Sequence, residues 1–147
     1  MKIKIAWIGK TKEPAIGALT EEYLKRISRY CPVEGLPLRD DAALLAMGGG
    51  NKGSSKFTLM LVDSRGKEFS SVQFAKFLGD YQDRNPLPLV FAIGGADGFS
   101  AEVRATAQQT VSLGKMTLAH ELARIVLLEQ VYRAFTILKG HPYHSGH

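Results

Sequence analysis

The sequence is poor in cysteine and contains no long hydrophobic run. Its 147 residues include one cysteine, Cys31, which cannot form an intramolecular disulfide and is typical of a reducing compartment. Residues Met1–Ile5 alternate lysine with apolar side chains, whereas a signal peptide needs an unbroken apolar stretch. No segment offers the roughly 20 consecutive apolar residues that span a membrane. These absences predict a cytoplasmic protein that does not enter a membrane.

Several catalytic signatures are also absent. The chain has no Walker A sequence, no Gly-x-Gly-x-x-Gly fingerprint and no serine nucleophile elbow. Neither a Cys–His pair nor paired carboxylates occur at a spacing that supports hydrolysis. His141, His144 and His147 follow one another at intervals of three, but they lie in a proline-containing tail without a nearby thiol. We therefore expect no metal site.

The composition is that of an ordinary folded domain with an excess of positive charge. Apolar residues make up 45% and charged residues 22% of the chain, and its length suits one domain, so residues 1–147 are assigned to a single domain. The formal net charge of +5 favours a polyanionic partner such as nucleic acid. A basic protein without such a partner is equally compatible with this charge.

Two periodicities alternate along the chain. Apolar runs predict strands at Lys2–Ile8, Val33–Leu38, Phe57–Val62, Leu87–Ile93 and Thr110–Leu113. Helices are predicted after Pro14, after Ser70 or Ser71, after Ser100 and over Leu118–Leu138. Pro37 suits an edge strand, Ser64–Lys67 is predicted to turn the chain, and Gly48–Ser55 is predicted to be a flexible loop. The alternation predicts an α/β fold with a mostly parallel sheet and helices on both faces.

Ligands of such sheets bind beyond the carboxyl ends of the strands, here after Val62, Ile93 and Leu113. The glycines of Gly94–Gly98 allow backbone to approach a ligand, and a helix start follows whose amides point toward the same region. The segment Leu113–Leu118 offers backbone and apolar side chains to a flat heterocycle. The segment Gly94–Gly98 is also consistent with a simple turn. The segment Leu113–Leu118 is also consistent with the start of the last helix, which Thr117 would cap.

The last predicted helix carries two arginines among apolar residues. Unpaired charge is costly there, so either this helix packs against a second subunit or Arg124 and Arg133 meet an anionic ligand. Glu129 precedes Arg133 by four residues and can pair with it. Beyond the helix, His141-Pro142-Tyr143-His144 combines a proline-fixed turn, an aromatic ring and an imidazole. This combination suits stacking on a base and proton transfer.

Five segments of the chain occur in the same order in one known family. They are Val62–Lys67, Ile93–Gly98, Ser112–His120, Glu129–Ala134 and His141–His144. On these segments the chain resembles, from Met1 to His144, the ribosomal RNA large subunit methyltransferase H family, a small member of the SPOUT superfamily. Any one of the five would be a weak match, whereas five in register over one short chain are a specific one.

The resemblance implies a SPOUT-type α/β knot, in which a C-terminal trefoil knot holds S-adenosylmethionine in a bent shape. It implies a homodimer in which each active site is completed by the partner. The implied substrate is a pseudouridine of 23S ribosomal RNA, methylated at N3 in the large subunit or the assembled ribosome.

The resemblance also implies roles for individual residues. Cofactor contacts are expected from Val62, Gly94, Gly95, Leu113, Gly114, Lys115, Met116, Thr117 and Leu118. Tyr143 and His144 are expected to hold the target base. Loss of the N3 proton would be favoured by His144 as a base, or by the positive field of Arg124 or Arg133.

The sequence departs from the family pattern in two places. Ser145 follows the Tyr-His pair where the family usually carries arginine or lysine, a natural phosphate contact. The segment between Arg39 and Lys56 is shorter than usual and glycine-rich where relatives carry a helix. Two alternative functions stay open: a nucleotide-binding enzyme that uses Gly94–Gly98, and a ribosome-associated binding module that has lost methyl transfer.

Overall fold

The elements alternate between strand and helix along the whole chain. A computed structural model describes residues 1–47 and 56–145, so the predicted loop Gly48–Ser55 lies outside the described residues. The strands are β1 (Ile3–Ile8), β2 (Val33–Leu38), β3 (Thr58–Glu68), β4 (Leu89–Ile93) and β5 (Gln109–Ser112). The helices are α1 (Pro14–Ser28), α2 (Asp41–Ala46), α3 (Ser71–Arg84), α4 (Ala101–Thr106) and α5 (His120–Leu138).

The five strands form one sheet in the order β2-β1-β4-β3-β5, and every neighbouring pair is parallel. Strand β4 occupies the centre and is buried along its whole length, with Phe91 on one face and Val90 on the other. This explains its continuous apolar sequence, because neither face meets water. Strand β2 lies at the edge, as Pro37 predicted. The prediction of a mostly parallel sheet is confirmed.

Helices cover both faces of the sheet, which confirms the second part of the prediction. One face packs against α1, α3 and α5 through buried residues such as Ile27, Leu78 and Leu127. The other face is covered by the short helices α2 and α4, with Leu44 and Val103 fully buried. Because α5 contacts both α1 and α3, it lies at the middle of the larger helical layer.

The helix starts differ in how their free amides are satisfied. Ser70 caps α3 through the Gln73 amide, and Gln73 returns a bond to the Ser70 amide. Helix α1 has no side-chain cap of its own, and the Glu121 carboxylate from α5 accepts from the amides of Lys12 and Glu13 instead. The predicted cap of α5 by Thr117 is wrong, since α5 begins at His120 without a side-chain cap.

Two local predictions need correction. Residues Ser64–Lys67 do not end the strand, because β3 continues to Glu68 with an irregularity in which Val62 and Lys67 both pair with Val111. The extra residues fit because Gly66 has no side chain: a β-carbon there would lie 2.6 Å from the Thr110 carbonyl carbon. Helix α2 was not predicted and follows β2 in the segment expected to lack a helix.

The length and polarity of the helices bear on membrane insertion. In residues 1–47 and 56–145, no helix combines the length and the hydropathy that crossing a bilayer requires.

Candidate functional site

A cleft opens where β3, β4 and β5 reach the same edge of the sheet, with a volume of about 200 Å³. The predicted ligand residues that line it are Val62, Gly94, Gly95, Leu113, Gly114, Met116, Thr117 and Leu118. Lys115 is exposed in the same loop but is not among the lining residues. Three segments that are distant in sequence therefore converge on one cavity, as the parallel-sheet argument predicted.

The cleft also contains residues to which the sequence analysis gave no role in binding. They are Asp63, Ser64, Ile93, Ala96, Phe99, His120 and Ala123, and Gly98 of the predicted glycine segment lines the cleft as well. His120 appeared in the sequence analysis only as the end of the segment Ser112–His120. Its place at the first residue of α5, directly after the predicted ligand loop, was the available signal. For Phe99 and Ala123 the sequence offers none, because apolar residues at such positions are usually core.

The glycine segment after β4 is a tight turn that presents backbone to the cleft. The Gly98 amide donates to the Gly95 carbonyl oxygen at 3.0 Å, and Gly98 has a φ of 72°, which favours glycine. A β-carbon on Gly94 would lie 3.2 Å from the Gly98 carbonyl carbon, so a side chain there would push the turn apart. The wall of the cleft is consequently made of backbone that a flat ligand can approach closely.

The helix start after this turn is already engaged within the protein. The Ser100 amide donates to the Asp41 carboxylate at 2.6 Å, and the Ser100 hydroxyl accepts from the Val103 amide. A carboxylate therefore occupies the donor that a phosphate would need and adds negative charge beside the turn. This arrangement disfavours the alternative of a nucleotide-binding enzyme that uses Gly94–Gly98.

Asp63 forms part of the cleft wall and is held as an anion. One of its oxygens accepts from the Arg104 guanidinium at 2.8 Å and the other from the Arg65 amide at 2.9 Å. The bond from Arg104, supported by that from Arg65, holds the pKa of Asp63 well below its usual range. The pair fastens the bulge of β3, which begins after Val62, to α4.

We expect Asp63→Asn to lower the free energy of unfolding by about 1–2 kcal/mol at pH 7, because the charge-assisted bonds weaken. The pKa of Asp63 is lower in the folded than in the unfolded state, so this stabilisation is fully present when the pH is above the unfolded-state pKa. It is lost as the pH falls through the folded-state pKa. Thermal or urea unfolding should therefore show a constant gap between the wild type and the variant from pH 5 to 8 that narrows below about pH 4.

The exposed pair of Lys76 with Asp80 on α3 provides a matched control for this experiment. Asp80→Asn should leave the unfolding midpoint unchanged. An equal loss in both variants would show that removing any carboxylate, rather than the Asp63 bonds, lowers the stability.

The predicted tail residues form a cluster on α5. The Tyr143 hydroxyl donates to Glu129 Oε2 at 2.9 Å, and Arg133 Nη2 donates to the same oxygen at 3.1 Å. Arg133 Nη1 lies 3.0 Å from His144 Nδ1, and its guanidinium lies 4.9 Å from the Tyr143 ring centroid. The predicted Glu129–Arg133 pair is confirmed.

This cluster does not reach the cleft of its own chain. Ala123 lines the cleft, and Glu129 follows six residues later, which places it about 9 Å farther along the helix axis. None of Glu129, Arg133, Tyr143 and His144 is a lining residue. The predicted residues of the cleft loops thus lie together, and so do the predicted residues of the tail, but within one chain the two groups are separate.

Arg124 is placed differently from both sequence expectations. Its side chain is 2% exposed, its guanidinium lies 3.9 Å from the centroid of the Trp7 ring, and it donates to the hydroxyls of Thr11 and Thr20. Burial lowers the pKa of Arg124. This arginine joins α5 to β1 and α1 inside the chain; it neither presents charge to the surface nor lines the cleft.

The histidines and carboxylates show no metal-binding arrangement in the part of the chain that the structure describes. There, no three or more His, Cys, Asp or Glu side chains are grouped to hold a metal ion. His144 is engaged by Arg133, and His141 Nδ1 lies 2.6 Å from the Tyr30 hydroxyl. His147 lies outside the described residues.

A parallel α/β sheet with a cleft lined by loops at its carboxyl edge has the architecture of α/β proteins that bind ligands at that edge. A family model described as "Predicted SPOUT methyltransferase" matches residues 1–144. Two relatives are each named "Ribosomal RNA large subunit methyltransferase H". The one from Koribacter versatilis is 53% identical over all of both chains, and the one from Trichlorobacter lovleyi is 43% identical over 98% of this chain and 99% of its own length. The chain belongs to the SPOUT methyltransferase family.

Solved structures agree with this fold at low sequence identity. A probable methylase family protein from Haemophilus influenzae superposes with a TM-score of 0.60 at 10% identity, covering 96% of this chain and 69% of that one. The SpoU methyltransferase AviRb from Streptomyces viridochromogenes, solved with AdoMet, gives 0.54 at 13% identity, covering 88% and 56%. These similarities support the architecture alone, and the knot implied by the resemblance stays a prediction.

Proposed function

We propose that this protein transfers the methyl group of S-adenosylmethionine to N3 of a pseudouridine in 23S ribosomal RNA of the large subunit. The observation that carries the proposal is the convergence of Val62, Gly94 and Met116 on one backbone-lined cleft in a SPOUT methyltransferase. The names of the relatives support ribosomal RNA as the substrate. The net charge of +5 is consistent with an RNA partner.

The residues present in the cleft fit this cofactor. Gly94 and Gly114 leave backbone groups accessible to a flat heterocycle, and Met116 and Leu118 supply apolar contacts beside them. When bound, the cofactor supplies a methyl group on a positively charged sulfur, which is already activated for transfer. The protein therefore has mainly to align the target nitrogen with the methyl carbon and the sulfur, and to exclude water.

A homodimer would bring the tail cluster to the cleft. Within one chain, Tyr143 and His144 stand apart from the lining residues, so a second copy must supply them if they hold the target base. Two apolar side chains that line the cleft are exposed, Met116 by 86% and Leu118 by 38%. Such a group is typical of a surface that another chain covers. Both observations support a dimer with composite active sites.

In this arrangement the tail would contribute positive charge and an aromatic ring. Arg133 is protonated at neutral pH, the bond to Glu129 raises its pKa further, and its field favours the anionic form of an imide nitrogen. Ser145 offers no cation for a phosphate, so backbone contacts to RNA must come from elsewhere. The exposed lysines Lys10, Lys12 and Lys115, which lie in the loops after β1 and β5, are the candidates we propose.

Two measurements test the proposed function. Calorimetric titration with S-adenosylhomocysteine should give one site per chain, whereas a nucleotide enzyme would ignore this ligand. Labelled methyl groups should then pass from S-adenosylmethionine to ribosomes of a strain that lacks the modification, at one position of 23S RNA. Binding to ribosomes without transfer would instead support the degenerate binding module and overturn the proposal.

A further inference from the structure

The contact between Arg133 and His144 fixes which nitrogen of the imidazole carries a proton. Arg133 Nη1 lies 3.0 Å from His144 Nδ1, and a guanidinium nitrogen can only donate a hydrogen bond. Nδ1 must therefore accept, and it does so with its lone pair. A neutral imidazole has one N–H, which consequently lies on Nε2.

The guanidinium of Arg133 is held in place by two hydrogen bonds. Its Nε and Nη2 donate to the two carboxylate oxygens of Glu129 at 3.2 and 3.1 Å, a two-point contact that fixes the guanidinium plane. Both side chains are largely buried, with 15% and 21% of the side-chain area exposed. The remaining donor, Nη1, is thereby aimed at His144. Glu129 acts on the imidazole through Arg133.

The neighbouring tyrosine is held as a donor as well. Its hydroxyl donates to Glu129 Oε2 at 2.9 Å. Burial, reinforced by that bond, raises the pKa of Tyr143 to about 12, so the phenol keeps its proton at neutral pH. The single O–H of Tyr143 is thus given to Glu129, so of the two tail side chains expected to face the substrate His144 is the one that can donate a hydrogen bond to it.

We propose that His144 presents its Nε2–H to a carbonyl oxygen of the target base as a hydrogen-bond donor, and that Arg133 and Glu129 are positioning residues that fix this tautomer. The inference rests on the proposed function and assigns His144 a role other than the general base. The substrate class is a uracil-type ring, in which an N–H stands between two carbonyl groups. A cytosine-type ring presents an amino donor at one of these positions and would oppose the histidine N–H.

The chemistry of this ring explains why a donor is useful. When the N3 proton leaves to water, negative charge spreads from nitrogen onto the adjacent carbonyl oxygens, and an N–H directed at one of them stabilises that charge. The nitrogen lone pair then forms the new N–C bond, while the C–S bond breaks and its electron pair stays on sulfur. No protein group has to accept the proton.

The tautomer is tested directly by NMR on dimeric protein labelled with ¹⁵N-histidine. Long-range ¹H–¹⁵N spectra should show His144 in the Nε2–H form, and the Arg133→Met variant should show a mixture of both tautomers. His141 is the matched control, because the Tyr30 hydroxyl beside its Nδ1 can donate or accept and does not select a form. A His144 ring protonated on Nδ1 in the wild type would overturn the inference. This readout does not depend on any methyl transfer, so it fails separately from the proposed function.

Two substitutions test the donor role. The side-chain amide nitrogen of His144→Gln can replace Nε2–H but cannot accept a proton, whereas His144→Phe keeps only the ring shape. We expect the glutamine variant to retain transfer within about tenfold and the phenylalanine variant to lose about 10²–10³-fold. Titration with S-adenosylhomocysteine and thermal unfolding verify that both variants fold. If both lose activity equally while folding and binding normally, His144 acts as the base and the inference is wrong.

Discussion

Replacing Tyr143 and His144 together by alanine is expected to reduce methyl transfer by about 10³-fold or more, because the groups proposed to hold the target base and its developing charge are lost. Cofactor binding should change little, since neither residue lines the cleft of its own chain. Transfer is measured with labelled donor on unmodified ribosomes, and binding by titration of the same preparation with S-adenosylhomocysteine. A parallel loss of binding and transfer would contradict the separation of the two groups of residues.

Mixed dimers extend this prediction to the composite site. A second variant, Gly94→Val, is expected to lose cofactor binding, because its β-carbon would lie 3.2 Å from the backbone carbon of Gly98. When the two inactive variants are mixed, about half of the dimers contain one subunit of each kind, and each of these has one complete site, so about a quarter of the wild-type rate should return. If native mass spectrometry shows mixed dimers without any regained activity, the tail serves the cleft of its own chain.

Gly66→Val is expected to lower the free energy of unfolding by about 3 kcal/mol or more and to abolish cofactor binding. The β-carbon would meet the Thr110 carbonyl group at 2.6–2.7 Å, and a backbone group cannot move aside as a flexible side chain can. The resulting shift would separate β3 from β5, the strands that carry Val62 and Leu113 to the cleft. Urea unfolding and titration with S-adenosylhomocysteine measure the two effects.

Gly17→Ala is the matched control for this substitution. Gly17 lies inside α1, and a β-carbon there would meet nothing within 4 Å. Alanine favours the helix over glycine by about 0.5–1 kcal/mol, so this variant should be as stable as the wild type or slightly more stable. A comparable loss in both variants would mean that the close approach at Gly66 does not matter.

The sequence predicted those parts of the fold that depend on short-range patterns. Strand β4 has a continuous apolar run because both of its faces are buried, and this run identified it and the turn that follows. The parallel arrangement then followed from the alternation of elements. It led to the loops after β4 and β5, which do line the cleft. The Glu129–Arg133 pair was predictable from helical spacing alone.

The features that escaped prediction depend on contacts between distant segments. The bulge of β3 exists because Gly66 approaches Thr110, a contact that no local pattern in Ser64–Lys67 reveals. The sequence around Arg124 shows no partner for its charge. Its partners are Thr11, Thr20 and Trp7, which are distant in the sequence and are brought to it by the fold. Helix α2 has only six residues and a local cap from Asp40, too weak a pattern to distinguish from a loop.

The central place of α5 in the larger helical layer has a consequence for biosynthesis. Until α5 leaves the ribosomal exit tunnel, the middle of the larger helical layer is missing, because α5 packs between α1 and α3. Bonds such as Arg124 to Thr11 and Glu121 to Lys12 close loops of more than 100 residues, and topologies of this kind fold slowly. The nascent chain must therefore keep its apolar strands from aggregating until α5 has emerged.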